Sequence, residues 1–321
     1  MGSANGSAGS MGSSGDNSDR LSAPAAIRTE NLTMSYAHGR GIENVSLTVP
    51  RGSVFGFLGP NGAGKTTTIR IFFDLLRPQK GSAEILGHDS IKGSIAIRER
   101  TGYLPGDLAL PHSMTGKEVL EWLSSLRPHT PPVRRDELVE RFKVQLDRPI
   151  KQLSKGNRQK IGLVQAFQHN PELVVLDEPT SGLDPLLQDE FHRLVRDYVG
   201  NGGTVFLSSH SLDEVQHTAD LVGVIRNGEL FTVESVTSLR HRGLRRITLT
   251  VAPNDVERCW NILRDLEDVT DLDRHDGGFE FAYGGTYAPL ISALANVEVI
   301  DLLSRAADLD EVFLDLYRGE K

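Results

Sequence analysis

The residues best placed to do chemistry lie in Gly59-Pro-Asn-Gly-Ala-Gly-Lys-Thr-Thr67. The spacing Gly59-x4-Gly64-Lys65-Thr66 is that of a phosphate-binding loop. Glycines without a Cβ let main-chain N–H groups turn inward. Those groups, with the positive end of a following helix, make a site for phosphate oxygens. Lys65 can reach the β- and γ-phosphates, and the Thr66 hydroxyl can ligate Mg²⁺. Gly59, Asn61, Gly62, Gly64, Lys65, Thr66 and Thr67 are therefore the expected phosphate-contacting set. The competing reading of so short a pattern is an ordinary glycine-rich turn between a strand and a helix.

A second motif is Leu173-Val-Val-Leu-Asp-Glu178. Four apolar residues predict a buried strand, and Asp177 at its end can hold Mg²⁺ beside Thr66. Glu178 can polarise a water for attack on the γ-phosphate. Without the phosphate loop upstream, the same run would read as a strand ending in two solvated acids. The third motif is Leu153-Ser-Lys-Gly-Asn157, followed by a helical stretch. Ser154 and Gly156 at a helix start form a second anion site. A chain that already has a phosphate cradle gains from a second one if it serves the nucleotide of another subunit.

These residues need elements to position them. The run Val54–Leu58 predicts a strand before the loop, and Thr68–Leu76 a helix after it. Thr29–Tyr36 and Val45–Val49 read as strands with a turn at Pro50-Arg51-Gly52, and Ser82–Gly87 as a further strand. About 106–150 reads as an inserted helical subdomain. Thr115 and Glu118 form a capping box ahead of its first helix, and a second spans about Arg135–Val144. Helices are expected over Gln159–His169, Leu186–Tyr198 and Ser211–Ala219, with a buried strand at Gly203–Leu207. The alternation predicts parallel strands with crossover helices. After about Val236 the order is βαββαβ, a ferredoxin-like arrangement, ending in a helix over Leu309–Tyr317. Phe279, Phe281 and Tyr283 are expected on one strand face, and Cys259 inside a helix. Met1 to about Ala25, rich in Gly and Ser, is expected to be a disordered tail.

Taken together, the chain resembles the nucleotide-binding subunit of an ATP-binding cassette (ABC) transporter. The resemblance runs from about Ile27 to Val233, with the motifs in the family's order. It implies that Tyr36 stacks on adenine. It identifies Leu153–Asn157 with the family signature loop, with Lys155 and Asn157 in place of the commoner glycine and glutamine. Ser181-Gly-Leu-Asp184 resembles the D-loop, and His210 the switch histidine that contacts the γ-phosphate. The implied fold is an α/β P-loop NTPase ABC cassette over 26–235. That cassette has a mixed sheet, an antiparallel β subdomain and the inserted helical subdomain. A small α+β ferredoxin-like domain at 236–321 follows. The resemblance also implies two copies facing head to tail, with ATP between Lys65 of one and Ser154 and Gly156 of the other. Glu178 would orient the water. One departure stands out: in Gly102-Tyr-Leu-Pro-Gly-Asp107, Gly106 occupies the family's usual glutamine position and offers no side-chain ligand. A loop that mainly passes motion to a partner is the favoured reading of it.

Composition narrows the function. The chain has 321 residues, a formal net charge of −8 and one cysteine. An acidic balance disfavours a nucleic-acid footprint, and one cysteine excludes an internal disulfide framework. His88, His112 and His169 lack metal-ligand spacing and are expected to be solvated. No apolar run approaches the roughly 18 residues needed to span a bilayer. A membrane function therefore needs another chain to supply the spans; the resemblance implies a separate permease, with this chain on the cytoplasmic face of the plasma membrane. The expected function is to power a bacterial exporter of a drug, antibiotic, lipid or polysaccharide. The alternatives are a soluble ABC ATPase acting as a nucleotide-driven clamp, and a regulatory ATP sensor that does not turn over. The run Leu309-Asp-Glu-Val-Phe-Leu-Asp-Leu-Tyr317 resembles the ending of bacterial drug-resistance exporter subunits, which implies an assembly or regulatory role for the C-terminal domain.

Overall fold

A computed structural model describes residues 24–36, 41–127, 129–238, 245–275 and 277–306. All but the last two residues of the expected tail, and the expected helix Leu309–Tyr317, lie outside them. The described chain divides into two compact units. The first holds residues up to 210 and 217–235, and the second 211–216 and those from 236 onward.

The first unit opens with β1 (Ala25–Ser35) and β2 (Gly41–Pro50), paired antiparallel. After β3 (Val54–Leu58) and helix α1 (Lys65–Phe72) come β4 (Lys80–Ile85) and the two-residue β5 (His88–Asp89). The first sheet has the order β2-β1-β4-β5. Helix α2 (Ser94–Arg100) leads into β6 (Thr101–Leu104). The inserted helices are α3 (Gly116–Ser125) and α4 (Arg135–Arg141). The expected capping box starts α3: Glu118 N–H donates to Thr115 Oγ1, and Thr115 N–H donates to Glu118 Oε2 at 2.7 Å.

The second sheet is built on α5 (Lys155–Phe167), β7 (Leu173–Asp177), α6 (Pro185–Gly200) and β8 (Thr204–Ser209). After α7 (Leu212–Thr218) come β9 (Leu221–Arg226) and β10 (Glu229–Ser235). Its order is β10-β9-β3-β8-β7-β6. All pairs are parallel except β9–β10. Strands β3, β7 and β8 are buried at every position, as a sheet covered on both faces requires. Their C-terminal ends lie side by side, the place where open α/β sheets bind ligands.

Phe206 on β8 holds this centre together. Its ring stacks on Phe55 at 5.6 Å and meets Phe57 at 5.4 Å and Phe72 at 5.3 Å. It thereby fixes β3 and α1, the two arms of the phosphate loop. Phe206→Ala is expected to destabilise the protein by about 3–5 kcal/mol. Urea unfolding would show this as a lower midpoint with an unchanged slope.

The hairpin β9–β10 is a signal the sequence carried but the alternation pattern did not use. Asn227 and Gly228 both adopt positive φ (50° and 88°), the turn that Asn-Gly favours between paired strands. His169 corrects the expectation of solvated histidines. It is 7% exposed, and its ring meets Arg127 and the Thr101 carbonyl. Burial and the Arg127 charge push it down to about 4.

The second unit has β11 (Arg245–Val251), α8 (Val256–Arg264), β12 (Val269–His275), β13 (Gly278–Tyr283), α9 (Tyr287–Ala293) and β14 (Val299–Ala306). The order β12-β13-β11-β14 is that of the expected ferredoxin-like unit. Phe279, Phe281 and Tyr283 share its core with Ile247, Leu249 and Cys259. Burial pushes the Cys259 thiol up to about 11, which suits a packing residue.

Candidate nucleotide site

The loop after β3 closes on itself before α1 begins. Gly64 is the N-cap of α1 at φ 112°, and a Cβ there would stand 2.6 Å from Ile42 Cγ2. Only glycine fits. Lys65, 6% exposed, folds back over the loop and donates to the Gly59 carbonyl at 2.6 Å and the Pro60 carbonyl at 3.2 Å. Phosphate oxygens entering the loop would compete for those donors. Asn61 is exposed, and Thr67 is half-buried in the first turn of α1.

Two strand ends converge on this loop. Thr66 Oγ1 donates to Asp177 Oδ2 at 2.7 Å. Ser208 Oγ donates to Asp177 Oδ1 at 2.5 Å and accepts from the Glu178 N–H at 3.2 Å. Asp177, 1% exposed, is thus held from both sides. A half-buried hydroxyl and a buried carboxylate this close make an oxygen-donor pair that fits a hard cation of the magnesium kind. Such a cation takes one or two protein ligands and completes its shell with water and phosphate. Tyr103 lies near: burial and the Asp177 charge push its hydroxyl up to about 12.

Glu178 has φ 52°, an uncommon conformation for a non-glycine residue. It follows β7 at once, and the turn aims its carboxylate across the strand ends. Oε2 lies 2.6 Å from His210 Nδ1, and Oε1 lies 3.3 Å from Lys65 Nζ. Oε1 accepts no hydrogen bond of good angle, so its attraction to the ammonium is ionic. His210 follows β8 directly. The strand order β3-β8-β7 therefore brings Lys65, Thr66, Asp177, Glu178 and His210 to one place, though they are up to 145 residues apart in sequence.

The remaining predicted residues sit elsewhere on the first unit. Ser154 caps α5 by accepting from the Asn157 N–H at 3.2 Å, and Gly156 lies in the first turn of α5. Lys155 Nζ donates to Ser181 Oγ at 2.9 Å, which joins the signature loop to the run ending at Asp184. Asp184 caps α6 by accepting from the Leu187 N–H at 3.0 Å. Tyr36, just past β1, is 39% exposed. Asn157, at the departure from the family's glutamine, exchanges two hydrogen bonds with the Gln145 backbone, at 3.0 and 2.9 Å.

Sequence reasoning missed two residues of the site. Ser208 is one; its signal was a pair of serines between an apolar strand and His210. Gln159 is the other. It is buried on α5, and its Nε2 donates to the Pro179 carbonyl at 2.8 Å. It ties the signature helix to the turn that carries Glu178, and nothing in its sequence surroundings marks it out.

Comparison with known proteins agrees with this geometry. Residues 42–181 match the ABC transporter family. The daunorubicin resistance ATP-binding protein DrrA3 of Streptomyces coeruleorubidus is 34% identical over 309 residues, covering 92% of this chain and 96% of that one. The bacitracin transport ATP-binding protein BcrA of Bacillus licheniformis is 30% identical, covering 91% and 97%. Among solved structures, an ATP-binding subunit of an ABC transporter superposes with a TM-score of 0.62 at 27% identity, covering 67% of this chain and 92% of that one. A dimeric cassette bound to ADP and Pi shares the fold, with a TM-score of 0.60 at 21% identity, covering 65% and 98%. The similarity to DrrA3 and BcrA spans both units, and the strand order puts the phosphate loop where the fold requires it: the chain belongs to the ABC transporter family, as an ATP-hydrolysing cassette.

Proposed function

We propose that the chain is the ATP-hydrolysing subunit of a bacterial exporter, working as a head-to-tail pair of copies on a separate membrane-spanning permease. The observation that carries this reading is the placement of Glu178 between Lys65 and His210, beside the Thr66–Asp177 pair. In this reading Lys65 and the loop N–H groups bind the β- and γ-phosphates, and Tyr36 stacks on the adenine. Thr66 and Asp177 hold Mg²⁺, which neutralises phosphate charge when bound. Glu178 accepts the proton of the attacking water, and His210 orients Glu178 and contacts the γ-phosphate. Ser154, Gly156 and Asp184 complete the site of the opposite copy. Catalysis is then positioning and charge stabilisation.

No helix among the described residues is long and apolar enough to cross a membrane, so the permease supplies the spans. Its docking place is the loop after Leu104 together with the helical subdomain. Beside the helical subdomain lies a groove of about 370 Å³, lined by Ile95, Arg98, Leu123, Leu126, Arg127 and His169. The chain then works at the cytoplasmic face of the plasma membrane. Relatives named for daunorubicin resistance and bacitracin transport favour a drug or antibiotic as cargo over a lipid or polysaccharide.

Expression of the chain with the membrane protein encoded beside it tests the reading. The expected result is a complex whose ATPase activity rises when the cargo is added. Co-purification with ribosomes or DNA, and no membrane partner, would contradict it.

A further inference from the structure

Gly106 lies where a glutamine is usual, and the structure shows what a side chain there would meet. A Cβ on Gly106 would stand 3.1 Å from Asp177 Oδ2 and 3.2 Å from Cγ. A side chain at 106 would therefore crowd the carboxylate that Thr66 and Ser208 grip at 2.7 and 2.5 Å. The carboxylate cannot retreat from a side chain at 106 without stretching one of those bonds.

The same loop is wedged against α5. A Cβ on Gly162 would stand 2.5 Å from Leu104 Cδ1 and 2.6 Å from Leu108 Cδ2, so both leucines seat on the helix backbone at that glycine. Gln165 Nε2 adds a hydrogen bond to the Tyr103 carbonyl at 2.5 Å. Helix α5 starts at Ser154 and returns to the site through Gln159 and the Pro179 carbonyl. The contacts form a closed ring from Asp177 to Gly106, Leu108, Gly162, Gln159 and back to Pro179.

We propose that Gly106 is a positioning residue: its lack of a side chain leaves the Asp177 carboxylate set for Mg²⁺, and its loop links that carboxylate through Leu104 and Leu108 to the signature helix. Gly162 is the other end of the link: a Cβ there would press on Leu104 and Leu108, and so on the loop that carries Gly106. The inference rests on the nucleotide site proposed above, and the test separates the two.

The test measures binding of ATP to the full chain by titration calorimetry, once with Mg²⁺ and once with EDTA. Gly106→Ala is expected to weaken binding about tenfold with Mg²⁺, the scale on which a small misplacement of a positioned group is felt, and to leave the EDTA value unchanged. Gly106→Gln is expected to weaken Mg²⁺-dependent binding at least as much. Gly162→Ala is expected to weaken Mg²⁺-dependent binding as well, by about tenfold, and to leave the EDTA value unchanged; Mg²⁺-dependent binding equal to the parent's would break the link. Equal losses with and without Mg²⁺ in Gly106→Ala, or no loss in either, would overturn the proposal. So would tighter Mg²⁺-dependent binding in Gly106→Gln, because a side-chain ligand would then be what the site lacks. A parent chain that binds no ATP would overturn the nucleotide reading itself, and this inference with it.

Discussion

Glu178→Gln is expected to lower ATP hydrolysis by about 10²–10⁴-fold, the contribution of a positioned general base, with ATP binding retained. The amide has the shape of the carboxylate and can still meet His210, whose Nδ1 lies 2.6 Å from Oε2. What it loses is the negative charge that takes a proton from water. Losing that charge beside the phosphates does not penalise binding, and Lys65, now 3.3 Å from Oε1, is released from a competing anion. The variant should therefore trap ATP and hold two copies together. Size-exclusion chromatography with Mg²⁺ and ATP should give a dimer for Glu178→Gln and a shorter-lived one for the parent. Equal hydrolysis by variant and parent would remove Glu178 from its assigned role.

Lys65→Ala should fail one step earlier. Its ammonium is buried, and its hydrogen bonds run to the Gly59 and Pro60 carbonyls. A phosphate gains a buried, charge-assisted contact there that alanine cannot give. Removing one partner of such a pair costs about 2–5 kcal/mol, a loss of about 30- to 5,000-fold in ATP affinity. Titration calorimetry reads it directly. Lys65→Arg should not rescue binding, because a planar guanidinium does not fill the place of a compact ammonium in a position 6% exposed. Full affinity in Lys65→Arg would mean that charge alone, and not the fit of the loop, holds the phosphates.

Much of this site was legible because its chemistry is local. Gly59–Thr67 and Leu173–Glu178 each place a loop or an acid at a strand end within one short run. The ferredoxin-like unit was legible for a different reason: its strands alternate, and Phe279, Phe281 and Tyr283 mark one face. What stayed hidden depends on which strands become neighbours. Ser208 grips Asp177 only because β8 lies between β3 and β7. Gln159 reaches Pro179 only because α5 packs across that turn. His169 looked like a solvated ring, yet tertiary packing buries it against Arg127. Gly106 was visible as a missing glutamine, but its approach to Asp177 required coordinates. Ser154 and Asp184 cap helices on their own chain. Their proposed second role, in the site of the opposite copy, was legible through the family resemblance and not through their own surroundings.

The central claim is that each ATP is hydrolysed between Lys65 and Glu178 of one copy and Ser154 of another. Mixing two inactive full-length variants, Lys65→Ala and Ser154→Arg, tests it most directly. A mixed pair has one site with both halves damaged and one with both halves intact. The account predicts that each variant alone is inactive and that the mixture recovers ATP hydrolysis. A mixture as inactive as its components would place the whole site within one chain and contradict the account.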